Sequence, residues 1–310
     1  MNIVVIGAGA VGGYYGARLS ESGANVTFLV RNRRKEQIEQ NGLIVQSVNG
    51  DYHLRTPNLE TDVRNITECD LVILAVKGYH LQGTLETLDY LVKKGAFILP
   101  LLNGYEHYLV LQNKYGKERV LGGVCFIIST LNKKGHIIHT SKNDQMFFGT
   151  LHPNQTKVCN ELSAYTSKAN FTDKYADNIL YYIWRKYAFI VAYSGMTTAS
   201  RKPIGAVREN EASMKIYQDV ALEMERLASA YGISLGDRFK EIVTEQIMQL
   251  PYESTSSMHQ DLKKSLPLEV DHLQGGALRL AVGKGLKMPK TETLYGVIVL
   301  NENSSGNERK

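Results

Sequence analysis

Gly7, Gly9 and Gly12 stand in a G-x-G-x-x-G pattern, Gly7-Ala8-Gly9-Ala10-Val11-Gly12, directly behind the apolar run Ile3 to Ile6. Glycines at this spacing let main chain approach a pyrophosphate. The first permits a tight turn, and the second removes a side chain from the phosphate's path. The third lets the following helix pack close to the strand. The N–H groups where that helix begins, together with the positive end of its dipole, would hold the phosphates. The elements that must position this loop are legible around it. Ile3 to Ile6 reads as a buried strand, Ala10 to Ser22 as a helix and Asn25 to Val30 as a second strand. Together they make a βαβ unit of ~30 residues. An ordinary tight turn could carry the same glycines; the flanking elements give the motif its weight.

The end of the second strand bears on which dinucleotide binds. An NAD site usually places Asp or Glu there, bonded to the ribose 2′-hydroxyl. Here Val30 is followed by Arg31-Asn-Arg-Arg-Lys35, four cations in five residues and no carboxylate. A cationic cluster suits the 2′-phosphate of NADP, which a guanidinium can grip bidentately. Arg31 comes first after the strand and is the expected anchor, so the expected cofactor is NADP(H). The alternative is a solvated basic loop.

The chain of 310 residues can bury a large core and favours two domains. A net charge of +5, interspersed along the chain, does not point to nucleic acid. No apolar stretch approaches the ~18 residues of a membrane span. Met1 leads straight into the first strand, so no signal peptide is expected ahead of the fold. Cys69, Cys125 and Cys159 are odd in number and lack metal-ligand spacing. They imply a reducing cytoplasm and no metal site.

The first half alternates strands with helices or loops. Leu43 to Val48 and Tyr52 to Arg55 read as a hairpin around Asn49-Gly50. Asp70 to Val76 and Ala96 to Leu102 read as buried parallel strands. Val120 to Ile128, Ile137 to Thr140 and Gln145 to Phe148 continue the β-rich pattern. From Ile179 helical spacing dominates, with Glu211 to Tyr231 stopped by Gly232. Further helices are expected over 236–249, 256–264, 268–283 and 291–300. The expected fold is an α/β Rossmann-like doubly wound sheet over residues 1–175 and an all-α domain over 176–303. A disordered tail is expected over 304–310.

In such sheets ligands lie outside the carboxyl ends of the strands. Lys77 follows the strand ending at Val76, and Asn103 follows the strand ending at Leu102. A solvated lysine and an Asn-Gly turn are the plainer readings. The helix expected over Tyr105 to Leu111 weakens the second, because a hairpin turn needs a following strand. Asp177 to Tyr193 reads as a central helix, apolar on nearly every face. Lys186 nevertheless falls on its stripe Ile179, Ile183, Lys186, Ile190. A buried lysine needs a partner or loses its proton readily, and in a cleft it is a catalytic candidate. The alternatives are a structural ion pair or a lysine snorkelling from a domain edge. Glu269 reads as a helix-start carboxylate, Ser257 as a helix-start hydroxyl, and His259 and His272 as surface or packing residues.

These pieces, in this order, resemble the ketopantoate reductase (2-dehydropantoate 2-reductase) family over nearly the whole chain. The likeness rests on the glycine motif, Val76-Lys77, Leu102-Asn103-Gly104, Trp184-Arg185-Lys186, Ser256-Ser-Met258 with Asp261, and Glu269-Val-Asp271 with Gly275. It implies NADPH-dependent reduction of a 2-keto acid, ketopantoate to pantoate in pantothenate biosynthesis. It implies that Lys186 is the general acid bonded to the ketone oxygen. Lys77 and Asn103 would border the nicotinamide, with Asn103 also touching substrate. Glu269 would contact the cofactor ribose, and Ser257 would hold the substrate carboxylate. The chain departs from the family at Ile190, Ser194 and Ile204, where members commonly carry Asn. Ser194, Thr197, Thr198 and Arg201 are the candidates to replace those contacts. A related 2-hydroxyacid dehydrogenase with another substrate, and a non-catalytic NADP(H) sensor, therefore stay open. The expected partner is a small 2-keto acid, with a homodimer left open.

Overall fold

The computed structural model describes residues 1–307, without the side chains of Asn301 and of 303–307. By contacts it divides into two units: Met1–Leu102 with His107–Ile179, and Asn103–Glu106 with Leu180 onward. The first unit begins with β1 (Asn2–Ile6), α1 (Ala10–Glu21), β2 (Asn25–Leu29) and α2 (Asn32–Asn41). The hairpin β3 (Leu43–Ser47) and β4 (Tyr52–Leu54) follows, then β5 (Asn58–Glu60), β6 (Leu71–Leu74), α3 (Leu85–Lys93) and β7 (Phe97–Pro100). A five-stranded sheet runs β5-β2-β1-β6-β7, every neighbouring pair parallel. The strand order reverses between β1 and β6, which opens the ligand crevice of doubly wound sheets outside their carboxyl ends. Ile3, Val4, Val5 and Leu71 to Leu74 are at most 1% exposed. Both faces of these strands are therefore covered, which is why they read as continuous apolar runs.

The unit continues with α4 (Glu106–Tyr115), β8 (Gly122–Leu131), β9 (Ile137–Gly149), α5 (Thr156–Thr166) and β10 (Asp173–Tyr175). These strands add a second sheet to the expected one. β9 is its centre, parallel to β3 and β10 and antiparallel to β8. α1 is pinned to this sheet through buried Asp144. Its carboxylate accepts from Tyr14 Oη at 2.9 Å, Asn49 Nδ2 at 2.7 Å and Thr172 N at 3.1 Å.

The second unit is helical: α6 (Ile179–Ser200), α7 (Ile204–Glu209), α8 (Glu211–Ala230), α9 (Phe239–Met248), α10 (Ser257–Lys263), α11 (Gly276–Val282) and α12 (Pro289–Asn307). A π-helical turn, Asp271–Gly275, leads into α11. Trp184, Tyr187, Ala188, Val191 and Ala192, spaced as one face of α6, are at most 1% exposed. α12 continues past Leu300 to Asn307, while residues 308–310, the end of the tail expected over 304–310, lie outside the described residues. Among the described residues no helix is long and apolar enough to cross a membrane. No group of three or more His, Cys, Asp or Glu among them could hold a metal ion.

Buried Glu223, on α8, caps α12 from outside that helix. Its carboxylate accepts from Lys290 N and Thr291 N, both at 2.9 Å, and from Thr291 Oγ1 at 2.8 Å. Glu223→Ala removes a cap and orphans buried donors, so it is expected to cost about 2–3 kcal/mol. Denaturant unfolding of both proteins measures this, and a change below about 0.5 kcal/mol, the range of an ordinary surface substitution, would rule it out.

Candidate active site

The glycine loop joins β1 to α1 beside the end of β6. Gly7 has φ +96°, and a Cβ there would lie 2.6 Å from Ala75 O. A Cβ on Gly12 would lie 2.3 Å from Gly7 O and 2.9 Å from Ala75 Cβ. Main chain passes main chain too closely at both positions for any side chain. Around Gly9, the N-cap of α1, a Cβ would meet nothing within 4 Å. No side chain caps α1, and its first intrahelical bond runs from Gly13 N to Gly9 O at 2.9 Å. The N–H groups of Ala10, Val11 and Gly12 thus have no acceptor within the helix. Bare donors at a helix start, with open space at the middle glycine, fit the pyrophosphate of a dinucleotide.

Arg31 is exposed at the N-cap of α2. Its guanidinium acts on His80, whose imidazole is held below its usual range first by burial and then by that positive charge. Arg31 therefore faces the short turn that Lys77 caps, Gly78–His80, where Lys77 itself is half-buried. Arg34 reaches back to the glycine loop. Its Nε donates to Ala8 O at 2.9 Å, and its Nη1 donates to Gln37 Oε1 at 2.6 Å and Gly135 O at 2.9 Å. Burial lowers the pKa of this guanidinium, and its Nη2 is buried with no partner. The basic run was legible, but Arg34's role was not, because Gly135 is far away in the chain. The first unit thus gathers Gly7, Ala8, Gly9, Ala10, Val11 and Gly12 with Arg31, Arg34 and Lys77 at the carboxyl ends of β1, β2 and β6.

The second unit holds the remaining candidates. Asn103 is half-buried, and its carbonyl accepts from His272 Nε2 at 2.8 Å. Gly104 turns the chain beneath that ring with φ +93°, and a Cβ there would lie 3.3 Å from His272 Nε2. The other end of this short segment is tied by Arg279, whose Nε and Nη2 each donate to Glu106 at 2.7 Å. Arg279 Nη1 also donates to Asp271 Oδ1 at 3.0 Å. The π-helical turn and α11 therefore fix Asn103–Glu106 from both ends. Sequence reasoning left His272 as a packing residue, and nothing local could have found a partner 169 positions away.

Lys186 is half-buried in the middle of α6. Glu269 is 5% exposed just ahead of the π-helical turn, its carbonyl accepting from Leu273 N at 2.8 Å. Ser257 is the exposed first residue of α10. The hydroxyl that caps that helix belongs to Ser256, which accepts from His259 N at 3.1 Å and from Thr197 Oγ1 at 2.9 Å. Ser194 is only 3% exposed. Its hydroxyl donates to Ile190 O at 2.5 Å and accepts from Gln274 Nε2 at 3.2 Å. The substrate contact expected of it is thus taken up inside the helical unit. Ile204, at the start of α7, is fully buried core.

The chain matches the family models "Ketopantoate reductase PanE/ApbA" over residues 3–153 and "Ketopantoate reductase PanE/ApbA C terminal" over residues 178–302. It is 35% identical to the uncharacterized oxidoreductase YkpB of Bacillus subtilis, over 97% of this chain and 99% of that one. It is 26% identical to the 2-dehydropantoate 2-reductase of Nostoc sp., over 94% of this chain and 92% of that one. The crystal structure of 2-dehydropantoate 2-reductase from Geobacter metallireducens superposes with a TM-score of 0.88 at 29% identity, covering 97% of this chain and 99% of that one. The chain belongs to the ketopantoate reductase family, whose members are NADP-dependent oxidoreductases.

Arg34 gives this site a test. Arg34→Ala frees the Ala8 carbonyl and loosens the loop, so NADPH is expected to bind at least about tenfold more weakly, the equivalent of roughly one lost charged hydrogen bond. Fluorescence titration with NADPH measures it. An unchanged Kd would show that the loop needs no brace.

Proposed function

We propose that the chain reduces the ketone of a branched 2-keto acid to the 2-hydroxy acid with NADPH. The acid that the family points to is 2-dehydropantoate, reduced to pantoate in pantothenate biosynthesis. The observation that carries the reading is Lys186, half-buried on a helix whose other face is core. When bound, NADPH supplies the hydride. The loop Gly7 to Gly12 holds its pyrophosphate through the bare N–H groups of α1, and Arg31 grips the 2′-phosphate. Lys77 and Asn103 border the nicotinamide, and His272 and Gly104 fix the direction of Asn103. The ammonium of Lys186 donates to the ketone oxygen, stabilises the charge that develops there and gives it the proton. Glu269 meets the cofactor ribose, and Ser257 meets the substrate carboxylate. The cysteines fit a cytoplasmic enzyme, none of the three being in a disulfide.

The test is NADPH oxidation with a panel of 2-keto acids, for the wild type and Lys186→Ala. The variant should keep NADPH binding and lose roughly 10²–10⁴-fold in kcat, the range of general acid catalysis. NADPH binding with no turnover of any 2-keto acid would leave a nucleotide-binding protein and overturn the reading. For the cofactor, Arg31→Ala should bind NADPH about 10–100-fold more weakly and NADH nearly as before, since one charged contact is lost. Equal loss for both would move the 2′-phosphate contact elsewhere.

A further inference from the structure

We infer that the acceptor acid, unlike the 2-dehydropantoate that the family points to, carries an apolar side chain, a branched hydrocarbon with no hydroxyl, and that the face of α6 beside Lys186 selects it. The inference rests on the reading of Lys186 as proton donor to a 2-keto acid. Along the half-buried face of α6, Lys186 is followed at helical spacing by Phe189, Ile190 and Tyr193. Side chains on a helix lean toward its N-terminus, so Phe189 and Ile190 cover the turn that starts at Lys186. The Phe189 and Tyr193 rings stack with centroids 5.3 Å apart and planes 17° from parallel. Past the ammonium, this surface therefore offers ring and hydrocarbon.

The serine and threonine hydroxyls that follow Lys186 in α6 are taken up within the helical unit. Ser194 donates to Ile190 O at 2.5 Å, Thr197 to Tyr193 O at 2.9 Å and Ser200 to Met196 O at 2.7 Å. Each closes on the carbonyl four residues back, the usual habit of these residues inside helices. Thr198 is fully buried. The phenol of Tyr193, kept neutral by burial that pushes it up to about 12, belongs to a residue two turns along, about 10 Å at the helical rise. The first turn past the ammonium is covered by Phe189 and Ile190. A hydroxyl on the acid's side chain would meet Ile190 and Phe189 and leave its water unreplaced.

Two acids isolate this contact. Ketopantoate is 4-hydroxy-3,3-dimethyl-2-oxobutanoate, and 3,3-dimethyl-2-oxobutanoate differs from it only in lacking the hydroxyl. Initial rates of NADPH oxidation should favour the deoxy acid by about 10²-fold in kcat/KM, the size of discrimination that an apolar pocket achieves against an added hydroxyl. Ile190→Asn supplies a partner for the hydroxyl and should narrow or reverse that preference by at least about tenfold. Ketopantoate reduced as well as, or better than, its deoxy analogue by the wild type overturns the apolar acceptor while leaving the reductase reading intact. Turnover of neither acid, or of any other 2-keto acid, overturns both. A deoxy preference that Ile190→Asn leaves untouched overturns the assignment of selectivity to this face.

Discussion

The first unit depends on a crossing of main chain with main chain that only glycine permits. Gly7 passes Ala75 O, and Gly12 passes Gly7 O, at distances where a Cβ would sit 2.6 and 2.3 Å from the facing oxygen. Because α1 starts against the end of β1, its first N–H groups open at the point where the strand order reverses. Because β6 lies directly beside that start, the turn carrying Lys77 comes to the same end of the sheet. Arg34 can then reach the Ala8 carbonyl from α2. A side chain at either glycine would push α1 off the sheet and carry the donors with it. The proposed cofactor site is thus a product of backbone packing, with side chains trimming its edges.

The second unit uses a different device. Its candidate residues come from separated stretches of chain, and the π-helical turn Asp271–Gly275 gathers part of them. A π turn widens the helix and changes the direction of the residues that it carries, a distortion often found at functional sites. Here it turns His272 onto the Asn103 carbonyl and Asp271 onto Arg279, which also holds Glu106. The short segment after β7 is thereby fixed by a bond at each end, independently of its own conformational preference.

The parts legible in the sequence are those governed by local rules. Gly7 and Gly12 could be read from their spacing between an apolar run and a helix, although the Ala75 main chain that excludes a side chain at Gly7 is distant in sequence, and β1 and β6 could be read because strands covered on both faces are apolar throughout. The helix of Lys186 could be read from its period, but the stripe Ile179, Ile183, Lys186, Ile190 reads as buried throughout, and only Ile179 and Ile183 are, while Lys186 and Ile190 are half-buried. The second sheet could not, since the pairing of Val45 with Ile137 leaves no trace in either segment. Arg34 and His272 escaped for the same reason, their partners lying far along the chain. Ser194 is an intermediate case. Its bond to Ile190 O follows from the habit of serine inside helices, whereas the second bond, from Gln274, needs the tertiary structure.

This contrast bears on how the two halves of the chemistry are encoded. A pyrophosphate and a 2′-phosphate present the same charges whatever the enzyme does next, so main-chain donors and a guanidinium suffice. The acceptor differs from other 2-keto acids only in its side chain, which must be read by side chains. On α6 the core face, Trp184, Tyr187, Ala188, Val191 and Ala192, holds the helix in place, while Lys186, Phe189, Ile190 and Tyr193 lie on a half-buried stripe, the last three still touching the core at its edge. A residue on that stripe is only half-buried, so changing it is expected to cost less than the about 2–5 kcal/mol of emptying a fully buried apolar site. In the proposed reaction Lys186 supplies the proton that a ketone oxygen needs in every variant of it. Ile190, one turn further along, is proposed to set the acceptor and is separable from the reaction because it is not itself a proton donor.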